Sequence, residues 1–152
     1  MDRPVIVFAC GDELRGDDAV ALAAVEGLPG DVLERVDLRM VGALAPEHLT
    51  ALAPGARIVI LDAVVGPPPG QLVELDLAEL GRAAATAVHS THQLPLAQVV
   101  ALAEVLRGEP VAGRFVGLGI ASVSHGSGMS EPVAMALPAL REAVARAVLA
   151  LA

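Results

Sequence analysis

Apolar residues recur along this chain in two alternating rhythms, one of strands and one of helices. Val5 to Cys10 is an unbroken run of β-branched, aromatic and small residues, as in a strand buried on both faces, and Gly11 ends it. A charged loop with a second glycine at Gly16 follows, then the adjacent pair Asp17 and Asp18, and from Ala19 to Val25 the pattern turns helical. Asp17 is expected to cap that helix, where unpaired N–H groups and the helix dipole favour a carboxylate. One cap satisfies a helix start, so Asp18 is left as a candidate ligand.

The alternation continues. Pro29-Gly30 marks a turn, and Val32 to Arg39 alternates apolar and charged residues as a half-exposed strand would. Gly42 to Pro46 is a loop, and Pro46 to Leu52 a short helix with proline in its first turn. Arg57 to Ala63 is the clearest buried strand, apolar until Asp62. A loop rich in proline and glycine, Gly66 to Gly70, leads to an alternating strand from Gln71 to Leu77, at an edge or paired antiparallel. Ala78 to Ala87 is weakly patterned. A helix is predicted from Leu94 to Leu106, a strand from Val111 to Ile120, and from Glu131 onward a long helix interrupted by Pro138. The fold class that follows is α/β: a three-layer sandwich, a mostly parallel twisted sheet of about five strands with helices on both faces. Residues 1–152 are read as a single domain.

Composition narrows this picture. The chain is 55% hydrophobic but only 1% aromatic, so its core is built from Ala, Val and Leu packed closely. A net charge of −8 argues against electrostatic docking on nucleic acid or an anionic membrane. Mean hydropathy is high, +0.64, yet charged residues and glycines interrupt every apolar run before it reaches spanning length. With no signal-peptide pattern at its start, the chain is read as cytoplasmic. Cys10 is the only cysteine, which excludes an internal disulfide and a multi-thiolate zinc site; it is read as a buried, inert thiol.

The candidate chemistry comes from the ends of the strands. Ligands of open α/β sheets bind outside the carboxyl ends of the strands. Asp17 and Asp18 follow the end of the first strand, Asp62 closes the Arg57 strand, and His92 precedes a helix on the same rim. Two carboxylates and an imidazole there would suit a transition metal with positions left open. Each residue has a structural alternative: Asp62 as a turn cap, and His92 as a helix-start residue. His48 is read as solvated, and Glu13 and His125 as rim-loop residues. Gly11 and Gly16 flank a strand-to-helix turn, but the closely spaced glycine fingerprint and the Gly-Lys-Ser/Thr motif are missing, and Glu13, Asp17 and Asp18 would repel a pyrophosphate.

The blocks also form an ordered set. Cys10-Gly-Asp-Glu-Leu-Arg-Gly-Asp-Asp18, then Ile60-Leu-Asp-Ala63 with Gly66 and Pro69-Gly70, then Ser90-Thr-His-Gln-Leu-Pro-Leu96, then Gly126-Ser-Gly-Met-Ser130 with Val133 follow one another across nearly the whole chain. In that order and at those spacings the chain resembles the maturation endopeptidases of nickel–iron hydrogenases, which trim the large subunit's C-terminal tail after nickel insertion. The resemblance implies Asp18, Asp62 and His92 as the metal-contacting and catalytic residues. It implies no permanent cofactor, the metal being the nickel already placed in the substrate, and a hydrogenase large-subunit precursor as the partner.

The chain departs from the family pattern at several places. Asp12 stands where Asn is usual and Ala19 where Gly is usual, Leu38 to Gly42 lacks an Asp-Gly-Gly-Thr-like loop, Gly119 replaces a common Glu or Gln, and His125 replaces a frequent aromatic. Two other readings therefore stand beside the first. One is a peptidase-inactive homologue acting as a nickel- or partner-binding maturation factor; the other is a metal-dependent hydrolase of a small substrate.

Overall fold

The computed structural model describes residues 3–12, 16–82, 89–90, 96–121 and 128–152. Its central strands are those with continuous apolar sequence. β1 (Val5–Cys10) is buried at every position, and β3 (Arg57–Val65) at seven consecutive ones, Ile58 to Val64. Strands covered by helices on both sides need no polar face, which is why these two carry no alternation. β2 (Val36–Val41), β4 (Leu72–Asp76) and β6 (Ala112–Gly119) complete a sheet of order β2-β1-β3-β6-β4. β1 runs parallel to β2 and β3, and β3 to β6; β4 is the antiparallel edge. A two-residue strand, β5 (His89–Ser90), pairs antiparallel with Val64 and Val65 at the end of β3.

The pleat sorts the core into two halves. Val5, Val7, Ala9, Val59, Leu61 and Ala63 face one helical layer, made by α1 (Val20–Glu26), α2 (Gly30–Leu33) and α6 (Glu131–Leu151). Ile6, Phe8, Cys10, Ile58, Ile60, Val64 and Phe115 face the other, made by α3 (Pro46–Thr50), α4 (Leu77–Arg82) and α5 (Leu96–Arg107). Small side chains allow close approach: a Cβ on Gly113 would stand 1.9 Å from the Ile58 carbonyl oxygen of the neighbouring strand. Arg141 of α6 crosses to α1 and donates to the Ala23 and Ala24 carbonyls at 2.9 and 3.3 Å, adding to the bond that the Ala24 carbonyl already accepts from the Gly27 N–H at the end of that helix. No described helix is long and apolar enough to cross a membrane.

Several elements differ from what the pattern predicts. The segment expected to open the second strand at Val32 forms the single turn of α2 instead, with Val32 buried, and β2 begins at Val36. β3 continues past Asp62 to Val65, because β6 and β5 pair with it there; Asp62 lies inside the strand and caps no turn. The weakly patterned stretch holds α4, anchored by buried Leu77 and Leu80. α6 runs unbroken through Pro138, which is solvent-facing, as is Ala134 four residues earlier, whose carbonyl loses its helical partner and can meet water. Its apolar residues divide, with Val133, Leu140 and Val144 buried and Met135 and Leu149 exposed. His48 is half-buried rather than solvated: its Nδ1 accepts the Ala45 N–H at 2.9 Å, and its ring centroid lies 6.1 Å from that of Phe8.

Candidate active site

Parallel pairing of β1 with β3 sets the site. The pair Ala9–Leu61 places Cys10 beside Asp62 one step further along, on the same face of the sheet. On its other side Asp62 pairs with Gly117. One layer below lies the row Phe8, Ile60 and Phe115, which holds both phenylalanines of the chain. A Cβ on Gly117 would meet the Phe115 ring at 2.7 Å, so glycine lets that ring lie close under the carboxylate. Asp62 is buried, and its Oδ1 accepts the Ala63 N–H at 2.8 Å, which fixes the carboxylate's orientation.

The second carboxylate arrives from a 3-10 turn, Gly16–Ala19, placed between β1 and α1. This turn overrides the cap expected of Asp17: α1 starts from Ala19, which makes no side-chain cap. Ala19 has φ −78°, an ordinary helical value, so alanine serves where the family usually has glycine. Gly11 is different. It has φ +136°, and a Cβ there would lie 2.1 Å from the Asp18 carbonyl oxygen, so the turn closes on β1 only over a glycine. Asp18 is fully buried and its Oδ2 accepts the Asp12 N–H at 3.1 Å. That donor is main chain, so Asp12 in place of Asn leaves this bond unchanged.

Adjacent aspartates have separate tasks. Asp17, also fully buried, directs both oxygens away to the far end of the chain. Its Oδ2 accepts the Ala121 N–H at 2.8 Å and the Ser130 hydroxyl at 2.9 Å, and its Oδ1 accepts the Ser130 N–H at 2.6 Å. The carboxylate therefore fastens the start of α6 and the end of β6 to the turn that carries Asp18. No signal in the sequence pairs these residues, which lie more than a hundred positions apart.

Asp18 and Asp62 converge on Cys10. The thiol's pKa is raised well above its ordinary value, first by burial and then by the negative fields of Asp62 and Asp18, against a smaller opposing hydrogen bond from the Leu44 backbone. Cys10 is therefore a neutral thiol between two carboxylates and no nucleophile. The sign of the shift gives a test in the metal-free protein. Between the ordinary thiol pKa of about 8.5 and the higher folded value, only the unfolded chain releases the proton, so stability falls with rising pH by up to about 1.4 kcal/mol per unit. Chemical denaturation across that range is expected to show the slope, and Cys10→Ala to remove it.

His92 lies outside the described residues, as do Glu13 and His125. Among the described residues no group of three or more His, Cys, Asp or Glu side chains is arranged to hold a metal ion. What the described residues bring together is the Asp18–Asp62 pair, at the carboxyl ends of β1 and β3 where an open α/β sheet places its ligands.

The family model for hydrogenase maturation protease matches residues 25–147. The chain belongs to this family. Hydrogenase maturation proteases are hydrolases, and solved structures of the family share the fold described above. HybD, a [NiFe] hydrogenase maturation protease from Thermococcus kodakarensis, superposes with a TM-score of 0.74 at 22% identity, over 95% of this chain and 99% of its own. The hydrogenase maturating endopeptidase HybD from E. coli gives 0.72 at 25% identity, over 93% and 89%. HycI, a [NiFe] hydrogenase maturation protease from Thermococcus kodakarensis KOD1, gives 0.63 at 24%, over 96% and 92%. No curated protein matches the chain.

Proposed function

We propose that this hydrogenase maturation protease is the endopeptidase that removes the C-terminal extension of a nickel–iron hydrogenase large-subunit precursor after nickel insertion. The observation that carries the reading is the pair of buried carboxylates, Asp18 and Asp62, on a rim where the neighbouring Asp17 carboxylate is engaged with Ala121 and Ser130. Asp18, Asp62 and His92 together would supply oxygen and nitrogen donors to the nickel that the substrate brings, with no resident cofactor. β5 supports the third member: it holds Ser90, two residues before His92, against Val64, two residues beyond Asp62.

Nickel bound in the precursor is then the feature recognised. Docking it on the two carboxylates would fix the nearby peptide bond in place, which by itself supplies a large part of a hydrolytic rate enhancement. A carboxylate not engaged by the metal would orient and deprotonate the attacking water. Absence of nickel leaves the acidic rim unneutralised, and an unloaded precursor is not held. The protein is read as acting in the cytoplasm, on a folded precursor, without nucleic acid or membrane.

One observation favours the second reading, a peptidase-inactive homologue acting as a nickel- or partner-binding maturation factor. Gly119 stands where the family usually has Glu or Gln, and a Cβ there would meet the Pro68 carbonyl oxygen at 2.2 Å and that of Pro67 at 2.8 Å. The proline loop after β3 thus occupies the place of a polar side chain near the rim. Mass spectrometry of the hydrogenase precursor from the same genome, with and without nickel, separates the two readings. Loss of a short C-terminal peptide from the nickel-loaded form alone is the expected result. An intact precursor in both samples overturns the processing function and leaves the binding one.

A further inference from the structure

A protease must hold its substrate as an extended chain across the scissile bond, and the sheet offers an open place for one beside the carboxylates. β2 is the terminal strand, and among the described residues no strand pairs with its outer edge. The direction of its backbone groups follows from two bonds: Val5 N–H donates to the Arg35 carbonyl at 2.9 Å, and Gly11 N–H to that of Val41 at 3.2 Å. Alternation along a strand then turns the groups of Asp37 and Arg39 toward β1 as well. Val36, Leu38 and Met40 point their N–H and C=O groups outward.

Proteins commonly block such an edge with lysine, proline or a bulge. β2 has no Lys or Pro, and its two charges, Asp37 and Arg39, are paired with each other at 2.9 Å. Toward the site the strand becomes apolar: Met40 is 59% exposed, and beyond Val41 a side chain built on Gly42 would meet nothing within 4 Å. A groove of about 410 Å³ opens there, lined by Gly11, Asp12, Leu22, Met40, Val41 and Gly42. Asp12 is one of its lining residues, and the Asp12 N–H is the group that the Asp18 carboxylate holds. Edge and groove are thus continuous with the site.

We infer that the precursor's C-terminal tail docks as an added strand along the outer edge of β2, with an apolar side chain in the groove between Met40 and Leu22. This rests on the processing function proposed above and names the surface that receives the peptide. Affinity comes from main-chain bonds to Leu38 and Met40, which tolerate varied tail sequences; selectivity comes from the one apolar groove.

The test is amide hydrogen exchange on the wild-type protein, with and without nickel-loaded precursor, alongside processing by Met40→Pro and Met40→Leu. Proline deletes an outward N–H and spares the ladder to β1. The expected result is slowed exchange at Leu38 and Met40 in the presence of precursor. Met40→Pro should process about tenfold more slowly, a single lost hydrogen bond's worth, and Met40→Leu near the wild-type rate. Wild-type processing with unchanged exchange at both amides overturns edge docking and leaves the processing function standing, whether or not the proline variant folds. A wild-type protein that processes nothing overturns both.

Discussion

Asp62→Asn yields a protein that folds like the parent and fails to process its precursor. The asparagine keeps the shape of the side chain and an oxygen for the Ala63 N–H, so β3 and the core around it stay in place. What disappears is a charge. Asp62 is almost fully buried, and with Asp18 it already presses on the Cys10 thiol, so the folded state holds two negative groups in one poorly solvated corner. Removing one relieves that repulsion, and the melting temperature is expected to stay level or rise. Activity moves the other way. A neutral amide binds nickel weakly and accepts no proton from water, and losing a positioned general base typically costs 10²–10⁴-fold. A mass-spectrometric time course and a thermal melt on the same preparation check both halves. Full-rate processing by Asp62→Asn would remove Asp62 from the site.

Asp17→Ala is expected to do the reverse and strike stability first. Three donors converge on this carboxylate: the backbone N–H groups of Ala121 and Ser130 and the Ser130 hydroxyl. Alanine leaves those two part-buried N–H groups facing a methyl. Hydrogen bonds to a charged acceptor contribute about 1.5–3 kcal/mol each, and because water reaches the part-buried donors a loss of about 2–3 kcal/mol follows. Asparagine is no remedy, because its amide turns a donor toward a donor whichever way it is placed. Urea unfolding curves measure the effect directly. A midpoint unchanged in Asp17→Ala would show that the latch carries no weight.

The contrast between these neighbouring aspartates shows where the sequence was informative. β1 and β3 were legible because burial on both faces forces continuous apolar runs, and the rule that ligands gather at strand ends brought Asp18 and Asp62 together without further help. Asp17 was misread as a helix cap because capping is the only local use of a carboxylate at that position, whereas its real partners lie at the opposite end of the chain. Gly30 to Leu33 and α4 were obscure for a related reason: helices of four and six residues are too short to establish a period. Pro138 misled in the other direction. Local rules break a helix at proline, but a solvent-facing position lets water replace the missing bond. Met40 carried no signal as a single exposed methionine, and its meaning comes from the direction of the backbone on a strand with no outer neighbour.

The latch between Asp17 and Ser130 also fixes when the site can exist. Residue 17 leaves the ribosome well before residue 130, which comes only after β6 has been made, so the turn bearing Asp18 is fastened only once the start of α6 has emerged. β3 has the same dependence, since its parallel neighbour β6 spans Ala112–Gly119. Chain-closure entropy grows only slowly with so long a loop, and the cost is in waiting rather than in free energy. A nascent or truncated chain that ends before α6 therefore carries both carboxylates but lacks the latch that fastens the turn bearing one of them.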